Sequence, residues 1–439
     1  MRLRPPSAAA VRRLTYAVIL AAALVAAWNV VRYPPGLGYD AIDQVFYTDG
    51  IRHGEGLPDR RGAYYTPPGF YAVAAVATEV GEALGLEEPL RVTQAVNAAL
   101  AIGTLLLLLL LVREVWPGRE VLHLLAVAFA ATTTILLRSA AMFHPETMSL
   151  FFATLALLLA ARMLAREDYR VRTAVAVGLA LGAGQLVRAW ALWTFAVVLL
   201  ALAAVWLVRR AARRRVALAA AVVVAATAVV AGPWYGYQAT RYTNPIFDQP
   251  QVAKPLWERR AAAFYVDPGL PELVTQPYRP SFTNRFWPTV YAEAWGDYFG
   301  VFAWQAHKGE PDAGTRRDLT LQMLALAVPT MLALAGWLWL MGRALRRRLP
   351  DAQLLVALMP LAGLTGLLYF TVSYPTPDGD VIKATYMLTT LPAWAACFAV
   401  AGERLLRTRL ALPLALLLAV AAVVSLRFAL YGAPLGGLL

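Results

Sequence analysis

Eleven stretches of this chain stay apolar for long enough to cross a hydrocarbon core, a distance that takes a helix of about 20 residues. They lie near 14–31, 91–112, 121–141, 143–164, 173–188, 189–208, 216–235, 319–342, 352–372, 384–402 and 410–430. A backbone in lipid must satisfy its polar groups within one segment or in a closed barrel. Runs of this length therefore specify helices, and the expected fold class is an all-α polytopic membrane protein of about eleven spans. Composition agrees, with 59% hydrophobic and 15% charged residues, where soluble domains carry about 25% charge. The net charge of +13 does not point to nucleic acid, because the arginines are spread through short joints and not gathered on one soluble domain. The one cysteine, Cys397, lies in an apolar run and leaves no intrachain disulfide to form.

Arginine placement gives direction. The basic joints are Arg2 to Arg13, Arg113 to Arg119, Arg162 to Arg172, Arg209 to Arg215, Arg343 to Arg348 and Arg404 to Arg409, which is every second joint. Cytoplasmic loops hold the Arg and Lys excess, so the N-terminus is expected in the cytoplasm and the C-terminus, "YGAPLGGLL", outside. The expected location is the cytoplasmic membrane. The scheme requires Pro67 to Leu86 not to span. Glu79 and Glu82 interrupt it, and an interfacial or re-entrant helix fits its short apolar part. The N-terminal run reads as an uncleaved anchor, being long for the apolar core of a signal peptide. The organisation expected is an N-terminal transmembrane catalytic module, 1–235, with an acidic first outer loop at 32–90. An outer segment, 236–318, and a C-terminal transmembrane module, 319–439, follow.

Directly after the first span comes "GYDAIDQVFY", Gly38 to Tyr47. Ile42, Val45 and Phe46 fall at helical spacing, with Asp40, Asp43, Gln44 and Tyr47 opposite, which describes a short amphipathic helix on the membrane. Asp40 is open to two readings, a helix N-cap or a reactive carboxylate, with Asp43 in the first turn. Further on stand "YYTPPGFY" at Tyr64 to Tyr71, "HPETMSLFF" at His144 to Phe152 and "GLALGAGQLVRAW" at Gly178 to Trp190.

In this order the motifs resemble the C-type superfamily of integral membrane glycosyltransferases, in particular bacterial relatives of protein O-mannosyltransferases and aminoarabinose transferases. The resemblance covers most of the N-terminal half. It implies an inverting transferase that moves sugar from a polyprenyl-phosphate carrier to a lipid, glycan or protein acceptor at the outer face. The family often pairs two adjacent acidic residues where this chain has Asp40 and Asp43 three apart; Asp40, in the matching "GYD", is taken as the base.

Inverting transfer asks one carboxylate to deprotonate the acceptor while phosphate leaves from the opposite face of the sugar. Arg138 and Arg188, at outer span ends, and Lys383, in "YPTPDGDVIKATYM", are the cations expected to hold that phosphate, with snorkelling to lipid headgroups as the plainer reading. His144, Glu146, Tyr65, Asp297 and Tyr298 are the candidates for acceptor or sugar contacts, the last two within the aromatic "YAEAWGDYFGVFAW". His144 and Glu146 are residue types that ligate metal, and some family members use a divalent ion, yet no second ligand cluster accompanies them, so no cofactor is assigned. Membrane lipids are expected partners and nucleic acid is not. A lipid-linked glycan ligase or polymerase and a transporter are the competing classes. The first has no need of an acidic first loop, and the second predicts broken helices with mid-span charge.

Overall fold

The structure is a computed structural model and describes residues 7–242, 244, 246, 252–302, 304 and 310–432 of the 439-residue chain. The expected outside C-terminus therefore lies outside the described residues, as do Arg2 and Arg4. Among the described residues every regular element is helical. The first group is α1 (Ala8–Arg32), α2 (Ala41–Arg52), α3 (Gly69–Ala83), α4 (Arg91–Val115), α5 (Glu120–Thr132) and α6 (Thr134–Ser139). Then follow α7 (Glu146–Ala165), α8 (Val171–Val187), α9 (Leu192–Val208) and α10 (Arg213–Arg241). The second long loop carries α11 (Ala262–Val266), α12 (Glu272–Thr275) and α13 (Phe286–Trp295). The chain closes with α14 (Ala313–Leu345), α15 (Asp351–Ser373), a 3₁₀ helix at Ala384–Thr390, α16 (Leu391–Leu405) and α17 (Ala411–Ala429).

All eleven expected spans fall on helical stretches. Nine of those stretches, among the described residues, are long and apolar enough to cross a membrane. The third and fifth spans are shorter: α5 breaks at Thr133 and resumes as α6, and α8 stops at Arg188. Pro67 to Leu86 yields α3, whose 15 residues reach about 22 Å, short of a core about 30 Å thick. Its Glu79 and Glu82 both pair with Arg52 of α2, Glu79 at 3.0 Å.

The amphipathic expectation for α2 is reversed in part. Gln44 and Tyr47 turn into the protein and Ile42 is 80% exposed. Internal partners explain it: Tyr71 donates to Gln44 Oε1, Thr66 and Tyr71 share a 2.7 Å bond, and Tyr47 stacks on Tyr71 at 3.8 Å. A polar face packs inward when its bonds are made there.

Close approaches account for two of the sequence motifs. A Cβ on Gly69 of "PPGFY" would lie 2.7 Å from the Leu186 carbonyl oxygen, so only glycine lets the start of α3 cross the end of α8. On α8, a Cβ on Gly178 would meet Ala226 Cβ at 2.6 Å, and one on Gly182 would meet Val230 Cβ at 2.7 Å. This small-xxx-small pair seats α8 against α10, as between transmembrane helices generally. At the head of α4, Gln94 donates to the Tyr33 and Ala141 carbonyls and Asn97 to those of Met142 and His144. These buried amides fix the turn from α6 to α7 beside the chain leaving α1.

Candidate active site

Asp40 ends the short connection from α1 and adopts φ 52°, ψ 27°, a left-handed conformation that Asp and Asn tolerate better than most side chains. It stands at the N-cap position of α2, but its side chain makes no cap bond. It reaches instead to Lys383, whose Nζ donates to Oδ2 at 3.2 Å. The side chain keeps 43% of its surface open, so the carboxylate remains approachable. Partial burial alone would raise its pKa. Lys383, through its charge and its hydrogen bond, and then the charge of Arg188 outweigh that and hold the carboxyl below its ordinary value. Lys383 is complementary: burial works against its ammonium, but Tyr386 and Asp40 keep it above its ordinary value.

Arg188 gets its position from the break after α8. It is extended, φ −157° and ψ 133°, between α8 and the 3₁₀ turn Ala189–Ala191, and its side chain is 8% exposed. Its Nε donates to Glu146 Oε1 at 2.7 Å. Glu146 opens α7, fully buried, and serves Arg188 in preference to capping the helix. Its neighbour His144 is buried with its ring edge-on to Tyr39 at 6.1 Å. Burial, then the positive charge of Arg188, push that imidazole down to about 3 against the pull of Asp40, so it is neutral near pH 7.

Arg188 borders a cavity of about 200 Å³ that is also lined by Tyr65, Trp190, Trp193, Phe370 and Tyr386 among others. Trp190 stacks on Tyr386 at 4.8 Å, and the Arg188 guanidinium lies 5.7 Å from the same ring. Burial raises Tyr65 to about 12, so its hydroxyl stays protonated. Arg188 is therefore the charged group of a cavity whose other lining is mostly aromatic and apolar. Asp43 is exposed one turn along α2, its carboxyl raised by desolvation and by the charge of Asp40.

Three expected site residues lie elsewhere. Arg138 is completely buried on α6, paired with Asp297 and donating from Nη2 to the Glu293 carbonyl at 3.0 Å. Asp297 also accepts from the Phe302 amide at 3.0 Å, and the buried Tyr298 stacks on Phe282 at 4.8 Å. None of the three lines the cavity. They clasp α6 to the end of α13, since a guanidinium far from water needs a carboxylate and carbonyls around it. Tyr386, Trp190 and Tyr39, not singled out as site residues in the sequence, do belong: Lys383 lies 5.3 Å from the Tyr39 ring. Their signal was spacing, with Tyr386 one 3₁₀ turn past Lys383 and Trp190 two residues past Arg188.

The donor set does not suit a metal. Among the described residues no three His, Cys, Asp or Glu side chains converge. His144 and Glu146 turn to different partners, and the cation beside Asp40 is Lys383.

The helical backbone that carries this site has the fold of solved oligosaccharyltransferases. The Archaeoglobus fulgidus oligosaccharyltransferase in its apo form superposes with TM-score 0.58 at 17% identity, covering 96% of this chain and 56% of that one. Archaeal oligosaccharyltransferase AglB from A. fulgidus, in complex with an inhibitory peptide and a dolichol-phosphate, gives 0.59 at 16% identity with the same coverage. A weaker likeness, TM-score 0.48 at 17% identity over 89% of this chain and 60% of the other, is to ArnT from Cupriavidus metallidurans bound to undecaprenyl phosphate. This chain thus spans little more than half the length of the archaeal enzymes it matches. No family model and no curated protein matches the sequence.

Proposed function

We propose that the chain is a glycosyltransferase that takes a sugar from a polyprenyl-phosphate carrier at the outer face of the cytoplasmic membrane and inverts its anomeric carbon. The observation that carries this reading is the Asp40–Lys383 pair, with Arg188 in the same neighbourhood at the edge of an aromatic cavity. A base, a pair of phosphate-binding cations and an apolar path for the carrier meet there. The fold supports it, and so does the dolichol-phosphate in one of the similar structures.

The acceptor hydroxyl gives its proton to Asp40 as its oxygen bonds the anomeric carbon. The bond from that carbon to the phosphate oxygen breaks on the opposite face, and the electron pair leaves with the phosphate. Arg188, tied by Nε to Glu146, presents the rest of its fork to the leaving oxygens. Lys383 supplies a point charge beside it. No step passes through a metal. Asp43 and Tyr65 stand near enough to support the acceptor or sugar, and His144, neutral and packed on Tyr39, orients the Asp40 segment.

Lipid extracts of a strain lacking the gene test the reading. We expect a polyprenyl-phosphate sugar to accumulate and to disappear on complementation by the wild type but not by Asp40→Asn. A carrier pool identical in all three strains rejects it.

A further inference from the structure

At the other end of the bundle two arginines meet at one tryptophan, and two more meet at the glutamate that precedes one of them. Arg404, in the last turn of α16, places its guanidinium carbon 3.3 Å from the Trp339 ring centroid, and Arg343, in the last turn of α14, lies 4.9 Å from the same ring. Arg119, before α5, and Arg407, after α16, both pair with the buried Glu403, Arg407 at 2.9 Å. Among the described residues Glu403 is the one carboxylate that an ion pair ties to any of the four, and neither Arg343 nor Arg404 is in an ion pair. Burial, then the charges of Arg407 and Arg404, depress the Arg119 guanidinium, which shows how closely the like charges are set.

We propose that this cluster binds the phosphate headgroup of an anionic membrane lipid. Guanidinium forks fit phosphate oxygens, and the unbalanced positive charge, partly buried, is relieved by an anion. The lipid source is favoured over free phosphate by position. The cluster closes the ends of helices long enough to span a membrane, a tryptophan stands at its centre as at membrane interfaces, and Leu338 and Leu345 of α14 beside it are 63% and 81% exposed. Acyl chains would cover those leucines while the headgroup meets the arginines. The 22 helical residues from Ala384 to Leu405 put the cluster roughly 30 Å from Lys383, so it is separate from the proposed transferase centre and does not rest on that reading.

Native mass spectrometry of the detergent-purified full chain, titrated with phosphatidylglycerol, phosphatidylcholine or inorganic phosphate, tests it. Wild type should retain phosphatidylglycerol, and the double variant Arg343→Gln/Arg404→Gln should bind it on the order of tenfold more weakly or worse, two surface-near charges being lost. Phosphatidylcholine should not be retained. Arg409→Gln, the loss of one charge at an exposed position outside the cluster, should leave binding unchanged. Trp339→Leu, which keeps every charge, should weaken it too and covers the case of a double variant that fails to fold. Equal phosphatidylglycerol binding by wild type and both cluster variants, or an equal loss in Arg409→Gln, overturns the site. Displacement by equimolar inorganic phosphate overturns the lipid assignment.

Discussion

At the residue scale the Asp40–Lys383 pair is the sharpest object for experiment. Asn tolerates left-handed backbone and the Asp40 side chain makes no cap bond to α2, so Asp40→Asn keeps the shape and removes the carboxylate charge with its Lys383 ion pair. Purified Asp40→Asn should bind donor and transfer it on the order of a hundredfold more slowly or worse, with Asp43→Asn losing less. Near-normal turnover would leave Asp40 without a catalytic role. Lys383→Met carries a pH signature. Lys383 is the strongest of the charges that lower the Asp40 pKa against burial. Without it the carboxyl rises toward the value burial favours, and because the ionised form is the base, the acidic limb of the rate profile should move to higher pH. An unmoved limb would mean that Asp40 does not govern it. Asp40 was legible in the sequence because its position after a span and before "PPGFY" is a local fact. The fate of Arg138 was not, because which carboxylate would meet it is decided by Asp297, 159 positions along the chain.

At the element scale the site depends on how α3 crosses α8. The Tyr65–Pro67 segment reaches the cavity because Gly69 lets the backbones touch, and a methyl there would lie 2.7 Å from the Leu186 oxygen. Leu186 is followed within two residues by Arg188, so a push on one moves the other. Gly69→Ala should therefore lower stability by about 1–3 kcal/mol, as overpacking does, seen as a fall in Tm, and weaken donor binding as well. A stable variant with unaltered donor affinity would show that the crossing does not position Arg188. Helices read well from the sequence, because long apolar runs admit one solution in lipid. The burial of the polar face of α2 did not. Helical periodicity separates two faces, and only Tyr71, brought over by α3, determines that Gln44 and Tyr47 turn inward.

At the scale of the whole molecule the joints sort into two ends, and contacts made independently of the charge rule show it. Arg12, at the start of α1, pairs with Glu120 at 3.1 Å; Arg166, after α7, with Glu114 at the end of α4 at 2.7 Å; and Arg209, after α9, with Asp351 at the head of α15 at 2.7 Å. Arg119 and Arg407 share Glu403. Arg209 also pairs with Glu167, so six basic joints, spread from Arg12 to Arg407, are linked at one end, while Asp40, His144, Arg188 and Lys383 come from intervening joints and gather at the other. Loops rich in Arg stay in the cytoplasm, so tags at Arg213 and Arg346 should report the cytoplasm and tags at Asp59 and Pro311 the outside. The crucial position is Arg213. If Pro67 to Leu86 spanned, every later joint would change sides and Arg213 would face outward. A 15-residue α3 whose Glu79 and Glu82 are both held by Arg52 of the adjoining α2 cannot carry the chain across. An outside signal at Arg213 in the intact protein would overturn that assignment and, with it, the placement of Asp40 and Lys383 at the outer face.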